Sequence, residues 1–334
     1  MGNKLSSKRK STPSSRSNTP VGSLSTSSNT TGTINSTKLR EHYDEGTISS
    51  QSSTKRRMHQ VANSTYWFPS HDEEMDRLIG QHFALKSFLE GNVVKEFIEY
   101  IPTPLNEGAK VLDLGCGNGT WSLDFATEYP SAECIGVDMV DVFPQEIKPP
   151  NVNFKVANVF EGLPFPDNSF DFVYVRLMLV GMKADQWEPM WHEVRRILKP
   201  GGCVQSVEAG MLEKGNEFVN KAGKAFIDMM YERNQEPFVS KKMDKIMAQC
   251  NFNILHYELK DIFLGKPDPV SREFVHDICT IFTHAEPILS KALDVSTADW
   301  PAFVKKLGAE MVQKPDAMWS YGITFAQKPI EEST

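Results

Sequence analysis

Five short apolar runs alternate with stretches of helical length between residues 110 and 208, and this alternation restricts the fold more than any other feature. The runs are KVLDL, ECIGVD, NVNFKVA, FDFVYV and GGCVQSVE, and each is apolar enough to be buried on both faces. The clearest helix is expected from about Asp185 to Leu198, where apolar residues repeat at helical spacing. Such alternation is typical of a parallel sheet with crossover helices, so the sequence predicts a doubly wound α/β domain.

A glycine-rich turn follows the first predicted strand, in the stretch VLDLGCGNGTW at residues 111–121. A strand that ends in such a turn and opens a helix brings backbone N–H groups to the carboxyl edge of the sheet, where α/β folds bind nucleotides. The glycines are Gly115, Gly117 and Gly119, whereas the dinucleotide-binding pattern would need its third glycine at Thr120. Asp113, just before the turn, would repel a pyrophosphate but favours a cationic ligand.

A second carboxylate stands at the end of the next predicted strand. The run IGVDM places Asp138 nineteen residues beyond Gly119, where its oxygens can accept hydrogen bonds from both hydroxyls of a ribose. A ligand with an adenosine half and an amino-acid half bearing ammonium and sulfonium charges fits these acidic positions better than NAD does. The sequence therefore predicts S-adenosyl-L-methionine as the cofactor.

Residues 108–208 resemble the class I S-adenosylmethionine-dependent methyltransferases. The resemblance rests on VLDLGCGNGT, GVDM and GLPFPDNSFDFV, while the flanking YWFPSHDEEMDRLIGQHF and YVRLMLVGMKADQW are similar to fungal LaeA-like and TAM-type members. It spans roughly residues 66–328. It implies a seven-stranded, mostly parallel Rossmann-like methyltransferase fold with helical N-terminal and C-terminal additions.

The resemblance also implies a set of cofactor-binding residues. Met139 would pack on the adenine ring, and Asn158, which replaces the aspartate of many members, or Val159 would meet the ring's edge. The full set is Asp113, Gly115, Cys116, Gly117, Gly119, Asp138, Met139, Asn158, Val159 and Arg176.

The stretch before the core is expected to form a helix with a buried apolar stripe. The residues at helical spacing are Met75, Leu78, Ile79, His82 and Phe83. In one interpretation His82 is a core histidine and Arg77 pairs with Glu73 one turn earlier. In the other, the helix closes over the cofactor, with Arg77 near its carboxylate and Gln81 or His82 near the transferred methyl. Arg77 and His82 are therefore the candidate catalytic residues.

Composition divides the chain. Residues 1–60 form a Ser/Thr-rich basic tail, predicted to be disordered, with ten Lys or Arg against three Asp or Glu; the rest has 26 against 40. Residues 61–107 are expected to form a helical cap, 108–208 the cofactor-binding core, and 209–334 the acceptor-pocket helices and final strands of the same domain. The runs MDKIMAQCNF and VHDICTIFTHAEPIL are predicted helices of that last part. The acidic body argues against nucleic acid as a partner.

Cysteine usage and the N-terminus bear on location. The five cysteines form no CxxC pair and no cluster at metal-ligand spacing, which favours a reduced, cytoplasmic compartment and no metal. The start MGNKLSSKRK fits the N-myristoylation pattern through Gly2 and Ser6, so peripheral membrane contact through acylated Gly2 is expected. A nuclear-targeting basic tail is the alternative.

Two functions remain open from the sequence. The first is methyl transfer to a small organic molecule or a protein. The second is a LaeA-like regulatory protein that binds the cofactor but acts mainly through protein partners.

Overall fold

The computed structural model describes residues 66, 68, 72–313 and 316–330. The basic tail, residues 1–60, lies outside these residues, so its predicted disorder and the predicted acylation of Gly2 stay predictions. The strands are β1 Lys110–Leu114, β2 Glu133–Asp138, β3 Val152–Val156, β4 Phe170–Arg176, β5 Leu198–Ala209, β6 Asn253–Phe263 and β7 Met318–Gln327. The helices are α1 Asp72–Leu89, α2 Thr120–Glu128, α3 Trp187–Ile197, α4 Glu217–Glu232, α5 Met243–Gln249, α6 Pro269–His284, α7 Glu286–Leu293 and α8 Trp300–Gln313.

The strands form one seven-stranded sheet in the order β3-β2-β1-β4-β5-β7-β6. Strand β7 runs antiparallel to both of its neighbours, and the other pairs of neighbouring strands are parallel. Strands β1 and β4 are buried along almost their whole length, as expected for parallel strands covered on both faces. The predicted doubly wound, mostly parallel methyltransferase fold is confirmed.

Helix α3 shows how the local pattern selects an element. Its residues Trp187, Met190, Trp191, Val194 and Ile197 are all buried, so the predicted stripe forms core. The helix ends one residue before Leu198, which is the first residue of β5.

The helices and strands that follow the core differ more from the prediction than the core does. Helices α5, α6 and α7 account for the two helical runs predicted after the core. Final strands were expected in this part of the chain, but none was placed at β6, which lies between α5 and α6. Strand β6 is a half-exposed edge strand whose pairing with β7 shifts between Ile254 and His256. Apolar and polar residues alternate only over LHYELK, residues 255–260, which is a short signal for an eleven-residue strand. Within the described residues, no helix is both long enough and apolar enough to cross a membrane.

The buried stripe predicted for α1 is correct for His82 and wrong for Ile79 and Phe83. Ile79 and Phe83 are 42% and 54% exposed, whereas Glu74, Arg77 and His82 are buried. The buried face of this helix combines these polar residues with Ala84 and Leu85, and the polar ones find partners in α6, in α2 and within α1 itself, as described below.

Candidate functional site

A cavity opens at the carboxyl edge of the sheet, where β1, β2 and β4 end beneath α1; we call it the sheet-edge cavity. Eight of the ten predicted cofactor-binding residues line it, and Asp113 and Gly119 do not. Its lining from the predicted set is Gly115, Cys116, Gly117, Asp138, Met139, Asn158, Val159 and Arg176. Other lining residues were not predicted individually, among them Tyr66, Glu74, Asn118, Leu177 and Met178, although all five stand within the stretches quoted for the resemblance.

The three glycines of the turn serve different purposes. A Cβ on Gly115 would collide with the Met178 side chain, and one on Gly119 would lie 2.6 Å from the Phe154 ring. A Cβ on Gly117 would meet no atom within 4 Å, although its φ of 52° still disfavours any other residue. Gly117 is thus the position at which backbone faces open cavity space, as a closely approaching ligand requires.

Asp138 holds this turn through backbone hydrogen bonds. Its Oδ2 accepts the Gly117 N–H at 2.9 Å, and its Oδ1 accepts the Val140 N–H at 3.1 Å. A carboxylate that lines the cavity at the end of β2 is the kind of acceptor that ribose hydroxyls need. The position fits the role predicted for it.

Asp113 occupies a different place from the one predicted. It is 3% exposed and its Oδ2 accepts a 2.6 Å hydrogen bond from the Ser122 hydroxyl of α2. Burial raises its pKa to about 6, against the opposing effects of Ser122 and Arg176. Asp113 therefore ties β1 to α2 behind the turn and does not line the sheet-edge cavity.

The part of the sheet-edge cavity that follows β3 is more apolar than the glycine turn. Val142, Ala157, Val159 and Phe160 line it. Asn158 caps the short 3-10 helix that follows: its Oδ1 accepts the Phe160 N–H at 3.1 Å, and its Nδ2 donates to Glu161 at 3.0 Å. The amide keeps a second N–H and a second lone pair, and the apolar side chains beside it are suited to hold a flat ring.

Arg77 is not on the sheet-edge cavity. Its guanidinium donates to Glu74 at 2.8 and 2.6 Å and to Asp277 of α6 at 2.6 Å, with all three side chains buried. Burial favours the neutral acid, yet hydrogen bonds from Arg77 and His284 hold the pKa of Glu74 below its usual value. The predicted pairing with Glu73 is replaced by one with Glu74, and both donor sides of Arg77 face protein carboxylates.

His82 also lies off the cavity, between two charged side chains. Its Nε2 is 3.1 Å from Asp124 Oδ2, and its Nδ1 is 3.2 Å from Arg176 Nη1. Burial first, and then the charge of Arg176, lower its pKa to about 4, so it is neutral at neutral pH. The partners assign the tautomer: Nε2–H donates to Asp124, and Nδ1 accepts from Arg176. It has no open side toward a substrate.

A second cavity adjoins the first; we call it the inner cavity. Tyr66, Leu78, Gln81 and Leu177 line both. The remaining lining of the inner cavity is Phe68, Arg77, Leu179, Val180, Ala209, Met211, Phe226, Asp277, Ile281, Trp319 and Tyr321. Seven of these residues, from Ala209 to Tyr321, belong to residues 209–334, the part of the chain from which the sequence predicts the acceptor pocket.

Leu177 separates the two cavities in a strained conformation. Its φ of 55° is left-handed, which costs a non-glycine residue about 1–2 kcal/mol. The backbone there is held by hydrogen bonds from its N–H to Val207 and from the next two N–H groups to Glu208. Strain held in place by neighbours is common at binding sites.

Known proteins match the core of this chain. The family model described as a methyltransferase domain matches residues 111–202. The secondary metabolism regulator LAE1 of Cochliobolus heterostrophus is 26% identical over 162 residues, which cover 48% of this chain and 51% of that protein. Methyltransferase str3 of Strobilurus tenacellus is 33% identical over 119 residues, covering 36% and 40%.

A solved structure of the cyclase SpnF covers 80% of this chain and all of its own at 19% identity and a TM-score of 0.44. The chain spans about half or less of the length of the two curated relatives. Through residues 111–202 it belongs to the class I S-adenosylmethionine-dependent methyltransferases, and its sequence is LaeA-like.

Proposed function

We propose that this protein binds S-adenosylmethionine in the sheet-edge cavity and transfers its methyl group to a small, uncharged, largely apolar acceptor in the inner cavity. The observation that carries the proposal is the junction of the two cavities, which share Tyr66, Leu78, Gln81 and Leu177. One cavity has the groups that suit the cofactor, and the other has an apolar lining.

The cofactor's parts match the residues along the sheet edge. The apolar end near Val142 and Phe160 suits adenine, Asp138 suits the ribose, and Gly117 leaves room for close approach. Arg176, at the end of β4, suits the carboxylate of the methionine part. Strands β2 and β4 are separated by β1, so their ends lie about 10 Å apart, a span that an extended adenosine-methionine conjugate can cover.

The inner cavity presents charges that are already paired. Arg77 and Gln81 both donate to Asp277, at 2.6 and 2.9 Å, and Arg77 also binds Glu74. A lysine or arginine side chain entering it would lose its hydration without gaining a free carboxylate, at a cost of several kcal/mol. The aromatic and aliphatic lining instead favours a ring-bearing or aliphatic neutral molecule.

The bound cofactor would supply an already activated methyl group on its sulfonium. The protein's part is to align the acceptor and to exclude water. Burial raises the pKa of Tyr66 well above its usual value, and Glu74, which accepts from Tyr66 at 3.3 Å, is held ionised by Arg77. Neither acts as a general base near neutral pH, so the site favours uncharged acceptors that are nucleophilic without one, such as an amine of low enough basicity to be neutral at that pH.

Labelled S-adenosylmethionine tests the proposal directly. The protein is incubated with it and a cell extract, and label is traced into protein, lipid and small-molecule fractions. We expect label in an apolar small-molecule fraction. Ile281→Trp, which fills the inner cavity, should abolish transfer but retain S-adenosylhomocysteine binding, whereas Ile147→Trp at a 91% exposed position should change neither.

The alternative is a regulatory protein, because the relatives that match include several secondary metabolism regulators. It would be favoured if S-adenosylhomocysteine bound while no fraction gained label. Label confined to protein would contradict the small-molecule acceptor.

A further inference from the structure

We propose that Arg176 binds the carboxylate of the cofactor's methionine part and that Asp124 and His82 are positioning residues that fix its guanidinium. The inference rests on the proposed function. It replaces the expectation that Arg77 contacts that carboxylate and gives His82 a role other than proton transfer.

Charge distribution in the sheet-edge cavity singles out Arg176. Glu74, Asp138 and Arg176 are the charged side chains that line it within the described part of the chain, so Arg176 is its one cation there. Arg77 is committed to Glu74 and Asp277. Among residues 72–313 and 316–330, Arg176 forms no ion pair with a carboxylate, which leaves its charge available to a ligand carboxylate.

A hydrogen-bonded chain holds Arg176 from behind. Arg176 Nη1 is 3.2 Å from His82 Nδ1, and the opposite ring nitrogen is 3.1 Å from Asp124 Oδ2. The guanidinium also lies 5.8 Å from the centre of the Tyr174 ring. Because His82 is fully buried on α1, the helix that covers the cavity fixes one edge of the arginine, and the donors that do not face His82 or Tyr174 are left for the ligand.

Asp124 is itself held in place. Its Oδ2 accepts from Lys86 at 2.6 Å and from Asn92 at 2.7 Å as well as from His82. Burial opposes ionisation, but the donors Lys86, Asn92 and His82 keep its pKa below the usual value. Three donors on one oxygen leave the carboxylate little freedom, so the orientation of the imidazole is set by α2 and passed to Arg176.

Two ligands test the proposal through binding alone. S-Adenosylhomocysteine contains the carboxylate, whereas 5′-methylthioadenosine keeps the adenosine and the sulfur but lacks the amino-acid end. Calorimetry on the full chain should show that Arg176→Gln lowers the affinity for S-adenosylhomocysteine by about 10- to 100-fold. The affinity for methylthioadenosine should fall by less than about 2-fold.

Variants of His82 separate positioning from a structural role. His82→Leu should lower the affinity for S-adenosylhomocysteine by about 5- to 10-fold and leave the affinity for methylthioadenosine unchanged, since Arg176 keeps its charge but loses its orientation. His82→Asn offers an oxygen near the former Nδ1 and should restore most of the affinity. Asp124→Asn, at a part-exposed side chain, should cause a smaller loss of affinity, again for S-adenosylhomocysteine and not for methylthioadenosine. His192→Leu, on the exposed face of α3, serves as the control.

Equal losses for both ligands in the His82 and Asp124 variants would overturn the positioning role and indicate a structural one. An unchanged S-adenosylhomocysteine affinity in Arg176→Gln would overturn the carboxylate assignment. If the unmodified protein bound neither ligand, the proposed function itself would fail, an outcome distinct from both.

Discussion

The buried side chain of Glu208 predicts how the unfolding free energy of the protein depends on pH. It stands near the end of β5, fully buried, and its two oxygens accept the N–H groups of Met178 and Leu179 at 2.9 and 3.2 Å. Burial raises its pKa to about 8, although these hydrogen bonds lower it. The perturbation is Glu208→Gln, which fixes the side chain in a neutral form of nearly the same shape.

The sign of this pH dependence follows from whether the folded or the unfolded chain releases the Glu208 proton at the lower pH. The unfolded chain ionises Glu208 near pH 4.5, while the folded chain retains the proton to about pH 8. Stability from this group is therefore complete below pH 4.5 and is lost as the pH rises toward 8. Linkage with these two values gives a loss of about 3 kcal/mol between pH 5 and pH 8.

Urea unfolding of both proteins at pH 5, 6, 7 and 8 measures the effect. All other titrating groups are shared, so the difference in unfolding free energy, variant minus parent, should rise with pH by about 3 kcal/mol. Glu107→Gln, at an exposed position, serves as the matched control and should show no such rise. A difference that stays flat or falls with pH would refute the reasoning, because it would mean that Glu208 is ionised in the folded protein.

Three further outcomes are expected. Gly117→Val should abolish S-adenosylhomocysteine binding in calorimetry, because its side chain fills ligand space and the φ of 52° adds strain; retained binding would show that no ligand approaches there. Asp277→Ala should lower the unfolding free energy by about 3–5 kcal/mol, since Arg77 stays buried with one partner fewer; a loss below about 1 kcal/mol in urea would argue against the ion-pair network. Truncated protein of residues 61–334 should show no salt-sensitive duplex DNA binding in a gel-shift titration, and sub-micromolar affinity would contradict the charge argument.

The cofactor side of the site was largely predictable because it depends on local patterns. A strand, a tight turn with three glycines and a helix are neighbours in sequence, and Asp138 ends the next strand. In a parallel sheet the carboxyl ends of neighbouring strands meet at one edge, so adjacency in space follows from order along the chain. The sequence could not show that Asp113 turns away toward Ser122, because that depends on how α2 packs behind β1.

The polar face of α1 depended on the tertiary structure. Helical spacing predicted burial of His82 correctly but of Ile79 and Phe83 wrongly. It did not predict that Arg77 is buried, or that Asp277 and Asp124, from elements 200 and 42 residues away, are the partners of Arg77 and His82. A charged group is stable inside a protein only where a partner meets it, and no local pattern encodes that meeting. The sequence by itself determined the sheet and the turn that faces the cofactor; folding decided which arginine remains available to a ligand.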